Sequence, residues 1–142
     1  MKVYKFGGAS VKDASGVRNL KEIVACAGDD LMVVISAMGK TTNALERVVA
    51  ALAQKDEATA DNEWLAVLDY HVHLAMELGL KPNEDIRFPM MPEYDHTCSY
   101  DQNYDQIVSQ GEILSTQIVA VYLLKSGIRT EWWNMPKLLR TD

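Results

Sequence analysis

This chain is poor in the residues that hold together small extracellular folds. Its two cysteines, Cys26 and Cys98, are 72 positions apart, which suits neither a disulfide framework nor a zinc site. Both read as reduced thiols. Four prolines and eight glycines among 142 residues leave no room for a low-complexity linker or a collagen-like repeat. No segment approaches the uninterrupted apolar length of a membrane span, and no basic stretch followed by an apolar core stands at the N-terminus. A cytoplasmic protein without a membrane partner is the expectation. An excess of basic residues is also missing: 14 Lys and Arg face 20 Asp and Glu, a net charge of −6, which argues against nucleic acid as a partner.

What is present suits one ordinary folded domain. Apolar residues make up 48% and charged residues 24%, near the average for globular chains and far from a disordered composition. The charge is uneven. Residues 56–101 hold eleven Asp and Glu against two basic residues, Lys81 and Arg87, whereas the remainder holds nine acidic and twelve basic residues. The acidic stretch reads as a solvated face, and the mildly basic remainder suits small anionic ligands.

Residues 2–6 alternate like a strand and break into Gly7-Gly8-Ala9-Ser10. Val17, Leu20, Ile23, Val24 and Ala27 recur at helical spacing and end at Gly28. Leu31-Met32-Val33-Val34-Ile35 is a continuous apolar run rich in β-branched residues, the pattern of a strand buried on both faces. These three segments form a βαβ unit, so the fold class is α/β with a mainly parallel sheet. Two further helices are predicted, one through Leu45, Val48, Val49 and Leu52, the other from about Ala58 to Leu78, stopped by Gly79. Residues 82–100 look like an excursion or lid. A long helix from about Asn103 to Lys125 ends at Gly127, and Ile128 to Trp133 reads as a third strand.

Two candidate loops follow predicted parallel strands, where open α/β sheets place their ligands. In Lys5 to Ser10, glycine amides can converge on a phosphate that Lys5 meets with a full charge, helped by the positive end of the following helix. In Ser36-Ala37-Met38-Gly39-Lys40-Thr41-Thr42-Asn43, hydroxyls and a helix N-terminus could hold a carboxylate or phosphate; helix capping by Thr41 or Thr42 is the plainer alternative. Gly39-Lys40-Thr41 matches only the end of a P-loop. The first glycine of that motif would fall on Val34, inside the strand, which rejects it. Ser109-Gln110-Gly111-Glu112 places a glycine inside a helix, where it costs up to about 1 kcal/mol. Close approach by a neighbouring element or ligand would offset that cost, with Glu112 free to meet an ammonium group; a packing glycine beside a surface glutamate is the alternative. His71 and His73 with Asp69 and Glu77 are the one candidate metal cluster, but two histidines two apart on a helix diverge, so both read as surface residues and no metal ligand is assigned. Trp132-Trp133 would send one ring to each face of the third strand, for core packing or for contact with the rest of a larger protein.

Four stretches, Lys5 to Val11, Ile35 to Asn43, Ser109 to Glu112 and Arg140-Thr141-Asp142, closely resemble in order and spacing the N-terminal part of the aspartokinases, within the amino-acid kinase family. Ala9 departs from the family's frequent threonine, which removes a side chain but leaves the amide. The resemblance implies an α/β/α sandwich of which residues 1–142 are the amino-acid-substrate portion, the nucleotide-binding half and the regulatory ACT domains being absent. It implies transfer of the γ-phosphoryl group of ATP, with Mg2+, to the β-carboxylate of L-aspartate, an early step toward lysine, threonine and methionine. By the same resemblance, Lys5 stabilises the transferring phosphoryl group, Gly7, Gly8 and Ser10 cradle phosphates, Ser36, Ala37 and Thr42 bind aspartate, and Glu112 pairs with its α-ammonium. A glutamate kinase and a non-catalytic binding remnant are the other readings. The chain alone is expected to have little or no kinase activity. An unpaired sheet edge would make it prone to form a homodimer.

Overall fold

A computed structural model describes residues 1–28 and 30–138. The order is β1 (Lys2–Phe6), a 3-10 turn (Gly8–Val11), α1 (Ala14–Ala27), β2 (Leu31–Ile35), α2 (Thr41–Ala53), α3 (Glu57–Glu77), α4 (Tyr100–Lys125) and the one-turn α5 (Met135–Leu138). The strands pair in parallel, with Lys2 opposite Leu31 and Phe6 opposite Ile35. The fold is α/β with a parallel sheet, as the βαβ pattern requires.

Local chemistry sets the helix limits. The Asp13 carboxylate accepts from the Gly16 amide at 2.8 Å and caps α1, and Gly28 at φ +79° lies just beyond its end. Ser99 and Gln102 form a reciprocal capping box at the start of α4. Gly79 and Gly127, at φ +76° and +85°, take the left-handed conformation just past α3 and α4. α4 is long and apolar enough to cross a membrane by composition, yet half of its most apolar stretch is buried inside the molecule.

Two apolar clusters hold the helices on one face of the sheet. The first joins Val17 and Leu20 of α1, Ile35 of β2, Leu74 and Leu78 of α3, and Ile118 and Leu123 of α4. The second joins Leu45, Val48 and Val49 of α2 to Trp64 and Val67 of α3 and Ile107 of α4. The segment between α3 and α4 is irregular, but it is laid onto both clusters. Ile86 is buried in the first, and Met91 and Tyr94 pack on the second. Buried Asn103 donates to the carbonyls of Asp95 and Ser99 and accepts from the Asp95 amide, all within 2.9 Å.

Three expectations need correction. β2 is not buried on both faces: Met32 and Val34 are 37% and 43% exposed, and Val3 of β1 is 57% exposed. Tyr4, Phe6, Leu31, Val33 and Ile35 face the core, and the opposite face lies open. Residues 128–133 form no strand. Thr130 bonds within its own segment, and the Trp132 indole donates to Thr116 Oγ1 on α4 at 3.0 Å, so side-chain bonding to a helix takes the place of a ladder. Both tryptophans remain exposed. His71 is fully buried rather than a surface residue, with Nδ1 donating to the Val67 carbonyl at 2.7 Å; His73 of the same pair is exposed. Arg140-Thr141-Asp142 lies outside the described residues.

Candidate active site

Neighbouring parallel strands bring their C-terminal loops together, and here the two loops are bonded to each other. The Ser36 amide donates to the Phe6 carbonyl at 3.1 Å, and the Gly39 amide donates to the Gly8 carbonyl at 3.0 Å. A Cβ at Gly8 would lie 2.4 Å from the Ala37 carbonyl oxygen. Gly8 is thus glycine because the second loop passes against it. Positive φ is not the reason: Gly7 sits at φ −75° in extended backbone and Gly8 opens a 3-10 turn, while Gly39 in the second loop is the one at φ +57°.

The surroundings of the first loop also differ from the sequence reading. A 3-10 turn follows the glycines, and the full helix α1 begins later with its cap already supplied by Asp13. The Ser10 amide is spent on the Gly7 carbonyl at 2.9 Å, so Ser10 offers a ligand its exposed hydroxyl. Gly16 of α1 is pressed onto this turn, since a Cβ there would lie 2.4 Å from the Ser10 carbonyl oxygen. Lys5 stands opposite Val34 on the open face, one residue before the end of β1. Among the described residues its side chain is engaged in no hydrogen bond or ion pair.

In the second loop, Thr41 is buried, and its hydroxyl turns back to the Met38 carbonyl at 2.6 Å. Neither Thr41 nor Thr42 caps α2. The residue at the cap position is Lys40, with no side-chain bond to the helix; the Thr41 amide bonds to the Met38 carbonyl at 3.1 Å, and the next two amides, of Thr42 and Asn43, lack the side-chain partner that usually satisfies them. Thr42 and Ser36 are half-buried and Ala37 is buried.

α4 completes the arrangement. A Cβ at Gly111 would lie 3.0 Å from Ala37 Cβ, 3.1 Å from Thr41 Cγ2 and 3.2 Å from Leu45 Cδ1. The close approach that offsets a glycine in mid-helix is made by the second loop and the start of α2. Glu112, the next residue, is half-buried beside this junction. Three of the four sequence stretches therefore meet in one place.

Sequence reasoning missed Ser115. It is fully buried on α4, and its hydroxyl donates to the Ser36 carbonyl at 2.9 Å. Its spacing of four from Gly111 puts the two on one helical face, and that was the available signal. Sequence reasoning also missed a shallow groove of about 350 Å3 beside the second loop, bordered by Lys12, Gly39, Lys40, Arg47 and Tyr70. The Tyr70 hydroxyl donates to the Lys12 carbonyl, and burial pushes its phenol upward. Arg47 is held in a two-pronged contact by Glu63 at 2.8 and 2.9 Å, which lowers the glutamate's pKa. The predicted residues Lys5, Gly7, Ser36 and Glu112 do not line this groove. Among the described residues no three side chains form a metal-binding group.

Comparison with known proteins bears on the family and the fold. The chain is 28% identical to aspartokinase 1, chloroplastic, of Arabidopsis thaliana over 93% of its own length and 25% of that protein. It is likewise 28% identical to lysine-sensitive aspartokinase 3 of Escherichia coli, over 99% of its length and 32% of that protein. The chain thus spans about a quarter to a third of these curated relatives. The crystal structure of E. coli aspartokinase III in complex with aspartate and ADP, in the R-state, superposes with a TM-score of 0.72 at 22% identity, covering 94% of this chain and 31% of that one; at that identity the match speaks for the fold. The sequence model of the amino acid kinase family matches residues 1–140, a span that takes in both strand-end loops and the α4 segment packed on them, and the chain belongs to that family.

Proposed function

We propose that this chain is the amino-acid-binding portion of an aspartokinase, which transfers the γ-phosphoryl group of ATP to the β-carboxylate of L-aspartate to give 4-phospho-L-aspartate and ADP. The observation that carries this reading is the packing of Gly111 against Ala37 and Thr41. It sets the helix bearing Glu112 beside the loop bearing Ser36 and Thr42, an acid next to hydroxyls and uncapped amides, which suits a ligand with both an ammonium and a carboxylate. The relatives' names and the aspartate in the E. coli complex support the same substrate.

In this reading Glu112 binds the α-ammonium, while the Ser36 and Thr42 hydroxyls and the Thr42 and Asn43 amides bind carboxylate oxygens. The attacking β-carboxylate has an ordinary pKa of about 3.9 and is already an anion at neutral pH, so no general base is needed. The remaining task is alignment of two anions and neutralisation of charge on the phosphoryl oxygens. Lys5 and the glycine-loop amides supply that charge, with the Ser10 hydroxyl as a further donor. The described residues do not by themselves fit a protein-held Mg2+, and no step is assigned to one. The open face of the sheet supports a second copy of the chain as a partner.

Two measurements test the proposal. Titration of the isotope-labelled chain with L-aspartate should shift the amide resonances of Ser36, Thr42 and Glu112, and Glu112→Ala should abolish those shifts; an equal response to L-glutamate would sink the aspartate assignment. ADP production by the purified chain with ATP and aspartate should be negligible. Clear turnover would show that the chain is a complete catalyst rather than a portion of one.

A further inference from the structure

We propose that Ser115 is a positioning residue of the amino-acid site, its buried hydroxyl locking the loop that carries Ser36, Ala37 and Thr42 to the helix that carries Glu112. The inference rests on the aspartate reading above and names the device that sets the distance between the two halves of that site. A serine inside a helix ordinarily bonds back to a carbonyl three or four residues earlier. Ser115 has that choice in the Glu112 carbonyl at 3.1 Å, yet the Ser36 carbonyl, 79 residues away in sequence, is nearer at 2.9 Å. The hydroxyl therefore bridges a local and a long-range acceptor, and the long-range contact is the shorter of the two.

The bond falls at a point where Ser36 is already held from the other side. The Ser36 amide donates to Phe6 at the end of β1, next to Gly7 and Gly8. One peptide segment is thus gripped by the first loop through its N–H and by α4 through its carbonyl. Gly111, one turn before Ser115 on the same face, fixes how closely α4 approaches Ala37. Ser115 supplies the directional contact that steric fit alone lacks, and it fixes the rotation of α4 and with it the direction of Glu112. Its complete burial removes competition from water.

The test uses four forms of the chain: wild type, Ser115→Ala, Ser115→Thr and Glu112→Ala. Alanine removes the hydroxyl without opening a cavity of note and is the best helix former, so Ser115→Ala should still fold, with a thermal midpoint lowered by a few degrees for the lost hydrogen bond. It should weaken aspartate binding about ten-fold, because the loop and Glu112 are no longer held at the separation the ligand needs and must be ordered on binding. Hydrogen exchange at the Ser36 and Gly39 amides should accelerate, and Ser115→Thr should recover both properties. Aspartate affinity within two-fold of wild type in Ser115→Ala would overturn the proposal. If neither wild type nor Glu112→Ala responds to aspartate, the substrate reading fails, and the exchange rates then decide the lock separately: unchanged rates refute it, and faster rates restored by threonine support it.

Discussion

Gly7 and Gly8 are adjacent and identical, yet their environments demand opposite responses to the same substitution. Nothing lies within 4 Å of a Cβ built on Gly7, whose φ of −75° suits any residue. Gly7→Ala should therefore leave the fold intact and raise unfolding stability by roughly 0.4–1 kcal/mol, by restricting the unfolded chain. Gly8→Ala would place a methyl 2.4 Å from the backbone oxygen of Ala37. No rotamer relieves a clash with backbone, so a loss of about 1–3 kcal/mol or more is expected. Urea denaturation of the two variants should separate them with opposite signs. Equal destabilisation would mean that the strand-end loops do not meet as described. The dipeptide was legible in the sequence as a pair, whereas the division of labour was not, because it depends on a loop about thirty residues further along the chain.

At the scale of elements, α3 links the two apolar clusters: Val67 belongs to one and Leu74 to the other, with His71 between them. Its Nδ1–H serves the Val67 carbonyl, and its buried Nε2 has no partner among the described residues. Protonation would create a buried charge and an unsatisfied donor, and this desolvation pulls the pKa below its ordinary 6.5. The unfolded chain therefore binds the proton more tightly than the folded one, so stability is full above about pH 6.5 and falls as the pH drops below it, at up to roughly 1.4 kcal/mol per pH unit. Asp56 and Asp95, which are exposed, and Glu63 and Asp85, which are half-buried, also have lowered pKa values, but theirs lie in the carboxylate range and act further down. Chemical denaturation between pH 7 and 5 should show the slope in wild type and a flatter profile in His71→Met. Equal slopes would assign the effect to other groups. The burial of His71 was not visible in sequence because α3 is apolar around much of its circumference, and a lone histidine carries no label of its face. The helices themselves were legible from their period and their terminal residues. The supposed third strand was not, since β-branched and aromatic composition supplies propensity but no hydrogen-bonded neighbour.

The whole molecule is lopsided, with its helices and both apolar clusters on one side of a two-stranded sheet. On the other side Val3, Met32 and Val34 are exposed, and composition could not foretell this, because a run such as Leu31–Ile35 reads the same whether one face or both are covered. Two strands without further partners also leave unpaired backbone groups along both edges among the described residues. Both features favour association between copies of the chain, and they make separable predictions. Stacking of open faces brings Lys5, which stands opposite Val34, near its own counterpart, so a second cation there should be repulsive. Val34→Lys should then reduce self-association, measured by sedimentation velocity over a concentration series, without moving the thermal midpoint much, since position 34 already faces water. Edge-to-edge pairing uses backbone groups alone and would survive that substitution. A wild-type chain that stays monomeric at the highest concentration would exclude both arrangements and show that Lys5 is enough to keep the open face in water.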